Sequence, residues 1–416
     1  MGASGSGASV PVECCQICGH SQLENVLSLG YMPPVNQMVK VGEVSRQLPW
    51  FPTSLLYCPT CELVQLGLMV DPAIIFPAEY PYTSGTTRIL RENFANLCAE
   101  CSSMLNLSSD DLIVDIGSND GTLLSNFHQR GYRVLGIEPA DVGHIAQGRG
   151  INTMQRYFSV EVAREARRLH GPARVVTAAN CFAHMEDVHA ITDGILEMLA
   201  PDGVFVSESH YLIGLLDRLQ YDTVYHEHLR YYSLTSLAHL LEMHGLEVFH
   251  AALIPTHGGS IRVYASRKGS RPVQPSVRQI VAGEPRGDAM RARLAAFRHD
   301  VLLSKLRLLA MIRDLKEKGA RICGISAPSR ASTLVNYVGL DEAIVDYVCE
   351  ISGSLKIGKY MPGTLIPVVD ESILFTDQPE CAIILSWHIA DELASILRGK
   401  GYKGSFITPL PIPRTL

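Results

Sequence analysis

Positions 112–121 read LIVDIGSNDG, an apolar strand that runs directly into a glycine turn. Positions 122–129 have the pattern of a helix, and positions 132–137 form a second apolar strand that ends at Glu138. This order is typical of a doubly wound α/β domain, in which ligands bind at the carboxyl ends of the parallel strands. The sequence therefore predicts an α/β fold with a Rossmann-like domain at this point. Further strands of the domain are predicted at 173–178 and 203–208.

The turn of this domain does not fit a dinucleotide. A dinucleotide fingerprint would need glycine at 117, 119 and 122, but position 119 is Asn and position 122 is Thr. A nucleoside with a cationic sulfonium and no phosphate needs carboxylates instead, and Glu138 is suited to accept hydrogen bonds from two ribose hydroxyls. This pattern resembles motifs I and II of class I S-adenosylmethionine-dependent methyltransferases. The candidate cofactor-binding residues are Asp115, Gly117, Ser118, Asn119, Gly121, Glu138 and Asn180.

Two cysteine pairs near the amino terminus predict a metal site. Cys15 and Cys18 form one CxxC pair, and Cys58 and Cys61 form the other. Four thiolates make the closed tetrahedral site of a structural zinc ion, which leaves no open position for catalysis. An iron site and a chance pairing are the alternatives, and Cys14 could compete as a ligand. The short strands predicted around the second pair are 54–57 and 63–66.

Length, charge and cysteine usage limit the class of protein. At 416 residues the chain is long enough for two or three domains. The net charge is −6 and there is no run of Lys or Arg, so nucleic acid is not an expected partner. The sequence shows no bilayer-spanning apolar stretch and no signal sequence, so no membrane partner is expected. Eleven cysteines without a signal sequence favour the reducing cytoplasm over a disulfide framework.

Titratable side chains are concentrated at 221–232, which reads YDTVYHEHLRYY. Histidine titrates near neutral pH, so two histidines on either side of a carboxylate and next to a phenol indicate acid–base chemistry. A second segment, NCFAH at 180–184, follows a predicted strand and brings His184 to the ligand edge of the sheet. A polar interface loop and a second metal site are the alternatives for the run.

The carboxyl-terminal part of the chain predicts a second α/β domain. Apolar residues recur at helical spacing over 286–318, and a strand at 320–325 is followed by a turn at 327–330. Later strands are predicted at 345–349 and 381–386. The predicted domains are a zinc-binding module at 10–75, a Rossmann-like methyltransferase domain at 76–270 and a second Rossmann-like domain at 271–416.

Several short motifs occur in one order: the cysteine pairs, GSNDG at 117–121, NCFAH at 180–184, YHEH at 225–228 and THGGSIR at 256–262. Together they resemble the nucleotide-sugar C-methyltransferases, which methylate C-3 of deoxysugars, and the resemblance covers essentially the whole chain. It implies zinc on the four cysteines, S-adenosylmethionine in the middle domain and a nucleotide-diphosphate sugar as substrate. The acid–base residues that it implies are His184, Tyr225, Glu227 and His228, with Tyr80 or Tyr82 lining the site.

The implied reaction needs a carbon nucleophile. In a 4-keto-6-deoxysugar the C-3 proton lies beside the C-4 ketone, so a base can remove it and a hydrogen-bond donor can stabilise the enolate. We expect His228 to be the base, oriented by Glu227. His184 is a second candidate for proton transfer or for holding the ketone oxygen, and His226 is expected to face away. The side chains expected to bond the sugar or the enolate are those of Tyr225 and of Tyr80 or Tyr82.

The carboxyl-terminal domain departs from the family at two points. The turn that usually reads AxxKG is APSRA at 327–331, and the usual Trp-Asn pair is Trp387-His388. Arg330 keeps the positive charge and adds a fork suited to phosphate, so we expect it to bind the pyrophosphate. The departures leave the nucleotide open between thymidine, guanosine and other diphosphates. The candidate substrate-binding residues are Arg330, Asn336, Tyr337 and His257.

Two other functions compete with methyl transfer. An NAD-dependent sugar epimerase or dehydrogenase would need the dinucleotide fingerprint that positions 117–122 lack. A non-catalytic, zinc-anchored binding protein would have no use for the clustered titratable residues. The sequence leaves open the sugar, the stereochemical course at C-3 and whether the protein is a monomer or a small homo-oligomer.

Overall fold

The computed structural model describes residues 2–43, 48–76 and 83–416. Within these ranges the strands form sheets of two, four, seven and six strands. The larger two are the Rossmann-like sheets predicted from the sequence, so the predicted α/β class is confirmed. Tyr80 and Tyr82 lie outside the described residues.

The amino-terminal module contains β1 (Ser9–Pro11), β2 (Glu24–Met32), β3 (Phe51–Tyr57), β4 (Val64–Leu66), β5 (Leu68–Val70) and helix α1 (Pro72–Ile75). β2, β3 and β4 form an antiparallel sheet, and β1 pairs with β5. Alternate side chains of β3 are buried because successive residues of a strand point to opposite faces. The strands predicted at 54–57 and 63–66 are confirmed as parts of β3 and β4.

The middle of the chain contains, in order, α2 (Arg88–Leu105), β6 (Leu112–Ile116), α3 (Thr122–His128), β7 (Arg133–Ile137), α4 (Gly143–Gly148), β8 (Thr153–Met154), α5 (Val160–His170), β9 (Ala173–Ala179), α6 (Val188–Met198), β10 (Leu199–His210), α7 (Leu212–Asp217), β11 (Arg230–Tyr231), α8 (Leu234–Met243), β12 (Leu246–Ile254) and β13 (Ser260–Arg267). The central sheet has the order β12-β13-β10-β9-β6-β7-β8. Its strands are parallel from β10 to β8, whereas β13 is antiparallel to both neighbours.

β6 lies near the centre of this sheet and all five of its residues are buried. Ile113 belongs to one hydrophobic cluster, whereas Val114 and Ile116 belong to another. Apolar clusters therefore cover both faces, as expected of a parallel sheet. The chain order reverses between β6 and β9, so the carboxyl ends of these strands open a crevice where ligands bind in such sheets.

The short strand β11 does not belong to the central sheet. It pairs antiparallel with β4 of the amino-terminal module. Arg230 and Tyr231 therefore anchor the end of the titratable run to the zinc-binding module. The run itself is not a strand, because Tyr221–Thr223 forms a 3-10 turn and positions 226–227 form a further turn.

The carboxyl-terminal region contains α9 (Pro275–Gly283), α10 (Asp288–Lys316), β14 (Ile322–Ile325), α11 (Ser329–Val338), β15 (Val348–Glu350), β16 (Val368–Asp370), α12 (Ser372–Asp377), β17 (Cys381–Ile384), α13 (Ala390–Gly399), β18 (Ser405–Thr408) and β19 (Arg414–Thr415). Its sheet has the order β16-β15-β14-β17-β18-β19 and is parallel except at β19. The helix predicted at 286–318 is confirmed as α10.

The strand predicted at 345–349 is wrong at its start, because β15 begins at Val348. The Asp341 carboxylate accepts hydrogen bonds from the N–H groups of Ala343 and Ile344, which stabilises a turn ahead of the strand. None of the helices in the described ranges has the length and apolar character that a bilayer crossing requires.

Candidate active site

The four cysteines predicted to bind zinc come together. Their Sγ atoms lie within 4.8 Å of one another, with 3.4 Å between Cys15 and Cys61 and 3.5 Å between Cys18 and Cys58. In each pair, the carbonyl of the first cysteine accepts a backbone hydrogen bond from the residue after the pair. Four clustered thiols fit a tetrahedral zinc ion in a closed structural site. Cys14 is exposed and lies outside the group.

The run at 225–228 does not form a comparable cluster. Among the residues that the structure describes, the cysteines are the only group of three or more metal-ligating side chains whose ligand atoms converge. The alternative of a second metal site in this run is therefore not supported.

The turn after β6 depends on two glycines. Gly117 and Gly121 adopt left-handed φ values of 67° and 75°. A Cβ at Gly121 would lie 2.8 Å from the Cβ of Ala146, and one at Gly117 would lie 3.1 Å from the Sγ of Cys181. Larger residues would strain the backbone and clash, so glycine is what allows the turn to lie this close to its neighbours.

Glu138 lies at the end of β7, beside the same turn. Its carboxylate oxygens accept hydrogen bonds from the N–H groups of Asn119 and Ala140, both at 2.9 Å, and burial raises its pKa. Asn180, just after β9, has a buried Oδ1 without a hydrogen-bond partner in the described part of the chain. A fixed carboxylate and an unsatisfied amide oxygen fit the hydroxyl and amino donors of S-adenosylmethionine.

Two of the predicted cofactor contacts turn toward neighbouring strands. Asp115 accepts a hydrogen bond at 2.6 Å from Oγ1 of Thr177, a residue of β9. Burial raises the pKa of the Asp115 carboxyl to about 7. The Oγ of Ser118 lies so close to Gly136 of β7 that a Cβ there would approach it to 2.5 Å. These contacts indicate that Asp115 and Ser118 pack against β9 and β7 and support the turn through these strands.

Imidazole rings form a chain at the carboxyl edge of the central sheet. The ring centroid of His228 lies 4.9 Å from that of His184 and 5.1 Å from that of His210. His210 stacks on His257 at 5.5 Å, and the ring of Tyr225 lies 4.0 Å from that of His228. The structure therefore brings together the predicted residues His184, Tyr225, His228 and His257.

A single hydrogen bond determines which nitrogen of His228 can accept a proton. Its Nδ1 lies 2.7 Å from the carbonyl oxygen of Thr223. A carbonyl oxygen only accepts hydrogen bonds, so Nδ1 carries the hydrogen and Nε2 of the neutral ring presents a lone pair. Burial and the neighbouring His184 hold the pKa of His228 well below its usual value. The ring is therefore neutral and has one basic nitrogen.

The other rings of the cluster are also held neutral. Burial lowers the pKa of His184 to about 4, and burial with the Arg330 charge lowers that of His257 to about 4. Burial and the Glu227 charge raise the pKa of Tyr225, which stays a phenol and can donate a hydrogen bond. The cluster thus combines an uncharged base with uncharged donors.

Glu227 does not supply the hydrogen bond at His228 Nδ1. Its Oε1 accepts a hydrogen bond from Asn36 Nδ2 at 2.6 Å, and Asn36 Oδ1 in turn accepts one from Ser329 Oγ at 2.9 Å. The Nδ1 of His228 is instead oriented by the Thr223 carbonyl. Glu227 therefore connects the run to the amino-terminal module and to α11.

His226 faces away from the cluster, as expected. Its Nε2 lies 3.0 Å from Thr53 Oγ1, and its ring packs edge-on against Phe51 at 5.7 Å. Both contacts are with β3, so His226 belongs to the packing of the amino-terminal module.

Sequence reasoning missed two residues of the site. His210 ends β10 and joins the imidazole chain. Its position two residues after the predicted strand 203–208 was the available signal, but it lies in no motif. Asp222 was part of the run without a role, and it is fully buried beside Thr223. Asp222 is paired with Arg330, which lies 108 positions later in the chain, so no local sequence pattern indicated a role for Asp222.

Two of the predicted substrate-binding residues, Arg330 and His257, lie at the imidazole cluster. The other two, Asn336 and Tyr337, have partners outside it. Arg330 borders the imidazole cluster, but the fork expected to bind pyrophosphate is engaged by the carboxylate of Asp222 at 2.6 and 2.7 Å. Asn336 Nδ2 donates to the carbonyl of Pro362 at 2.9 Å. Tyr337 packs against Tyr221 and lies under the ammonium of Lys305.

Comparison with known proteins matches three family models to successive parts of the chain. A model described as "Putative zinc binding domain" covers 15–76, a methyltransferase domain covers 88–251 and a C-methyltransferase C-terminal domain covers 255–411. The chain is also similar to C-methyltransferase NovU from Streptomyces niveus. The two are 32% identical over 412 residues, which make up 98% of this chain and 97% of NovU.

Solved structures similar to part of the chain include two methyltransferase-domain proteins. Magnesium protoporphyrin IX methyltransferase (ChlM) from Synechocystis PCC 6803 with bound SAM is 15% identical, with a TM-score of 0.33, over 43% of this chain and 79% of that one. A S-adenosylmethionine-dependent methyltransferase from Clostridium acetobutylicum ATCC 824 is 11% identical, with a TM-score of 0.34, over 43% of this chain and 92% of that one.

Proposed function

The chain belongs to the C-methyltransferase family, and from this membership we propose that it methylates C-3 of a nucleotide-diphosphate-linked 4-keto-6-deoxysugar. The observation that carries the proposal is the hydrogen bond from His228 Nδ1 to the Thr223 carbonyl. That bond leaves a basic nitrogen in a cluster of neutral side chains, which suits removal of a weakly acidic C–H proton next to a ketone.

His228 is the proposed base, and its Nε2 accepts the C-3 proton. The low pKa that burial gives the ring keeps it in the neutral, reactive form at physiological pH. As the proton leaves, negative charge develops on the ketone oxygen. Tyr225 is a proposed donor to that oxygen, and the 4.0 Å between its ring and that of His228 supports the pairing. His184, whose ring centroid lies 4.9 Å from that of His228, is the second candidate donor.

S-adenosylmethionine, when bound, supplies an electrophilic methyl group on a sulfonium. We propose that Glu138 accepts hydrogen bonds from the ribose hydroxyls and that Asn180 contacts the ligand through its unsatisfied Oδ1. The glycine turn at Gly117 and Gly121 lets the backbone approach the nucleoside. Zinc at the four cysteines has a structural role, because a closed four-thiolate site has no position for substrate.

The nucleotide sugar is proposed from the motif set, which spans the whole chain and resembles enzymes with such substrates. Asn336, Tyr337 and His257 remain predicted substrate contacts, and so does one of Tyr80 and Tyr82. His257 has the strongest support of these, because its ring stacks on His210 inside the cluster. The enzyme is proposed to act in the cytoplasm.

Hydrogen exchange at C-3 tests this function without methyl transfer. In deuterated water, with S-adenosylhomocysteine in place of the methyl donor, the protein is expected to exchange the C-3 proton of its nucleotide-linked 4-keto sugar. Replacing the base in His228→Asn should slow exchange by at least about 10²-fold. His299→Asn is the matched control, since this histidine is exposed on α10. Equal exchange rates in wild type and His228→Asn would exclude His228 as the base.

A further inference from the structure

Arg330 is a buried cation whose charge is neutralised inside the protein. Its Nε donates to Asp222 Oδ2 at 2.6 Å and its Nη2 donates to Asp222 Oδ1 at 2.7 Å. The guanidinium also lies 5.0 Å above the ring of Trp387, whose Nε1 donates to the same carboxylate at 2.7 Å. Arg330 is 8% exposed and Asp222 is 0% exposed. Two buried ions this well paired form a fixed structural connection.

The remaining donors of Arg330 are also mostly used within the protein. Nη2 reaches Gln220 Oε1 at 3.2 Å, and Nη1 reaches the carbonyl of His257 at 3.5 Å. A guanidinium has five N–H groups in a planar fork, and phosphate recognition uses that fork in pairs. The paired edge is occupied by Asp222, so the geometry disfavours Arg330 as the pyrophosphate ligand.

The connection leads directly to the proposed base. Asp222 and Thr223 share the 3-10 turn Tyr221–Thr223, and the Thr223 carbonyl accepts the hydrogen bond from His228 Nδ1. Gln220 extends the connection to a second loop, because its Nε2 donates to the carbonyl of Gly258 at 2.7 Å. Arg330 thus contacts two of the segments that carry imidazoles of the cluster, those of His228 and His257.

We propose that Arg330 is a positioning residue for the reaction: through Asp222 it holds the Thr223 carbonyl where it fixes His228 in the Nδ1–H tautomer, with Nε2 facing the substrate. The proposal rests on the proposed function, because it assigns the base to His228. It makes α11 of the carboxyl-terminal domain part of the machinery that orients the base. A point charge cannot replace the fork, so Arg330→Lys loses the bidentate contact.

Steady-state kinetics of three variants test this connection. Asp222→Asn and Arg330→Gln are each expected to lower kcat by about 10²-fold, the loss that follows a displacement of about 1 Å at a reacting group. KM for the nucleotide sugar should stay near its wild-type value. The double variant Asp222→Asn/Arg330→Gln, which leaves no unpaired buried charge, should be no slower than the slower single variant.

A second measurement reads the tautomer without any substrate. In protein labelled with ¹⁵N in the imidazole rings, long-range ¹H–¹⁵N spectra of wild type should show His228 as the neutral Nδ1–H form, with its signals identified by their loss in His228→Gln. The double variant should show a mixture of tautomers. Arg321→Gln is the control, because Arg321 is an exposed arginine paired with Asp346 and Asp377.

The outcomes separate this proposal from the proposed function. A single, unchanged His228 tautomer in the double variant would overturn the positioning role. A raised KM with normal kcat in Arg330→Gln, and normal kinetics in Asp222→Asn, would also overturn it and make Arg330 a phosphate ligand. If the tautomer is lost in the variants but wild type exchanges no C-3 proton of any keto sugar, the connection stands and only the proposed substrate falls.

Discussion

The carbonyl of Thr223 determines how His228 can react. It fixes the hydrogen on Nδ1 and leaves Nε2 as the basic nitrogen of a ring that lies among the other imidazoles. Neighbouring His184 and His210 are themselves held neutral by burial, so no imidazolium charge lies beside the ring of His228. At the residue scale, reactivity therefore follows from one backbone contact and from desolvation.

The low pKa of His228 predicts the pH dependence of the reaction. A base works in its neutral form, and a lowered pKa extends that form to lower pH. The acid limb of kcat/KM is therefore expected below pH about 6.5, the usual histidine value. A pH–rate profile with saturating methyl donor measures this limb. An inflection at or above that value would contradict a buried neutral base.

Much of this site could be predicted from local sequence, but its partners could not. The adjacency of Tyr225, Glu227 and His228 in one motif marked a titratable segment. His228 donates a hydrogen bond to a carbonyl five positions earlier, and Glu227 accepts one from Asn36. Both partners depend on how the segment turns. No periodicity describes such a turn, so the orienting group was assigned to the nearest carboxylate.

At the scale of elements, the turn between β6 and α3 is the proposed binding site of the methyl donor. Gly121→Ala is expected to weaken methyl-donor binding and to lower the free energy of unfolding, because the left-handed φ costs about 1–2 kcal/mol and the new Cβ meets Ala146 at 2.8 Å. Gly131→Ala is the matched control, with a φ of 85° and nothing within 4 Å of the new Cβ. Calorimetric titration with S-adenosylhomocysteine and thermal unfolding measure both effects.

The control separates backbone strain from the clash. Gly131→Ala should show strain alone, so it should lose stability without losing affinity for S-adenosylhomocysteine. Equal losses of affinity in both variants would mean that this turn has no special part in binding the donor.

The zinc-binding module makes its own prediction. Cys15→Ser should release the metal and lower the melting temperature, because a structural metal site contributes directly to folding. Cys14→Ser should change neither, since Cys14 is exposed and outside the cluster. Metal content by mass spectrometry and thermal unfolding give the comparison. A Cys15→Ser protein of wild-type stability that lacks activity would point to a catalytic metal.

Strands and helices next to strong signals were predicted well, and the reason is physical. The glycines after β6 and the buried apolar residues of β6 and β7 determine the turn and the strands through contacts between residues close in sequence. The start of β15 was wrong because apolar Val345 and Tyr347 follow a turn that the Asp341 side chain stabilises. Apolar character alone does not distinguish a strand from a buried turn.

At the scale of the whole molecule, three parts of the chain meet at the run 221–232. β11 pairs with β4 of the zinc-binding module, Asn36 links Glu227 to Ser329 of α11, and Arg330 of α11 holds Asp222. These contacts join positions far apart in sequence, which is why composition and motifs predicted the fold class but not these contacts. His228, the proposed base, thus lies where the zinc-binding module, the central sheet and α11 come together.

The proposed reaction is methyl transfer to carbon C-3 of a nucleotide-linked 4-keto sugar. It is tested most directly with S-adenosylmethionine labelled with ¹³C in the methyl group and a panel of thymidine- and guanosine-diphosphate 4-keto-6-deoxysugars. We predict one product whose labelled methyl carbon is bonded to C-3 in the ¹³C spectrum. A labelled methyl group on oxygen or nitrogen, or no transfer to any sugar of the panel, would rule out C-3 methylation of these sugars.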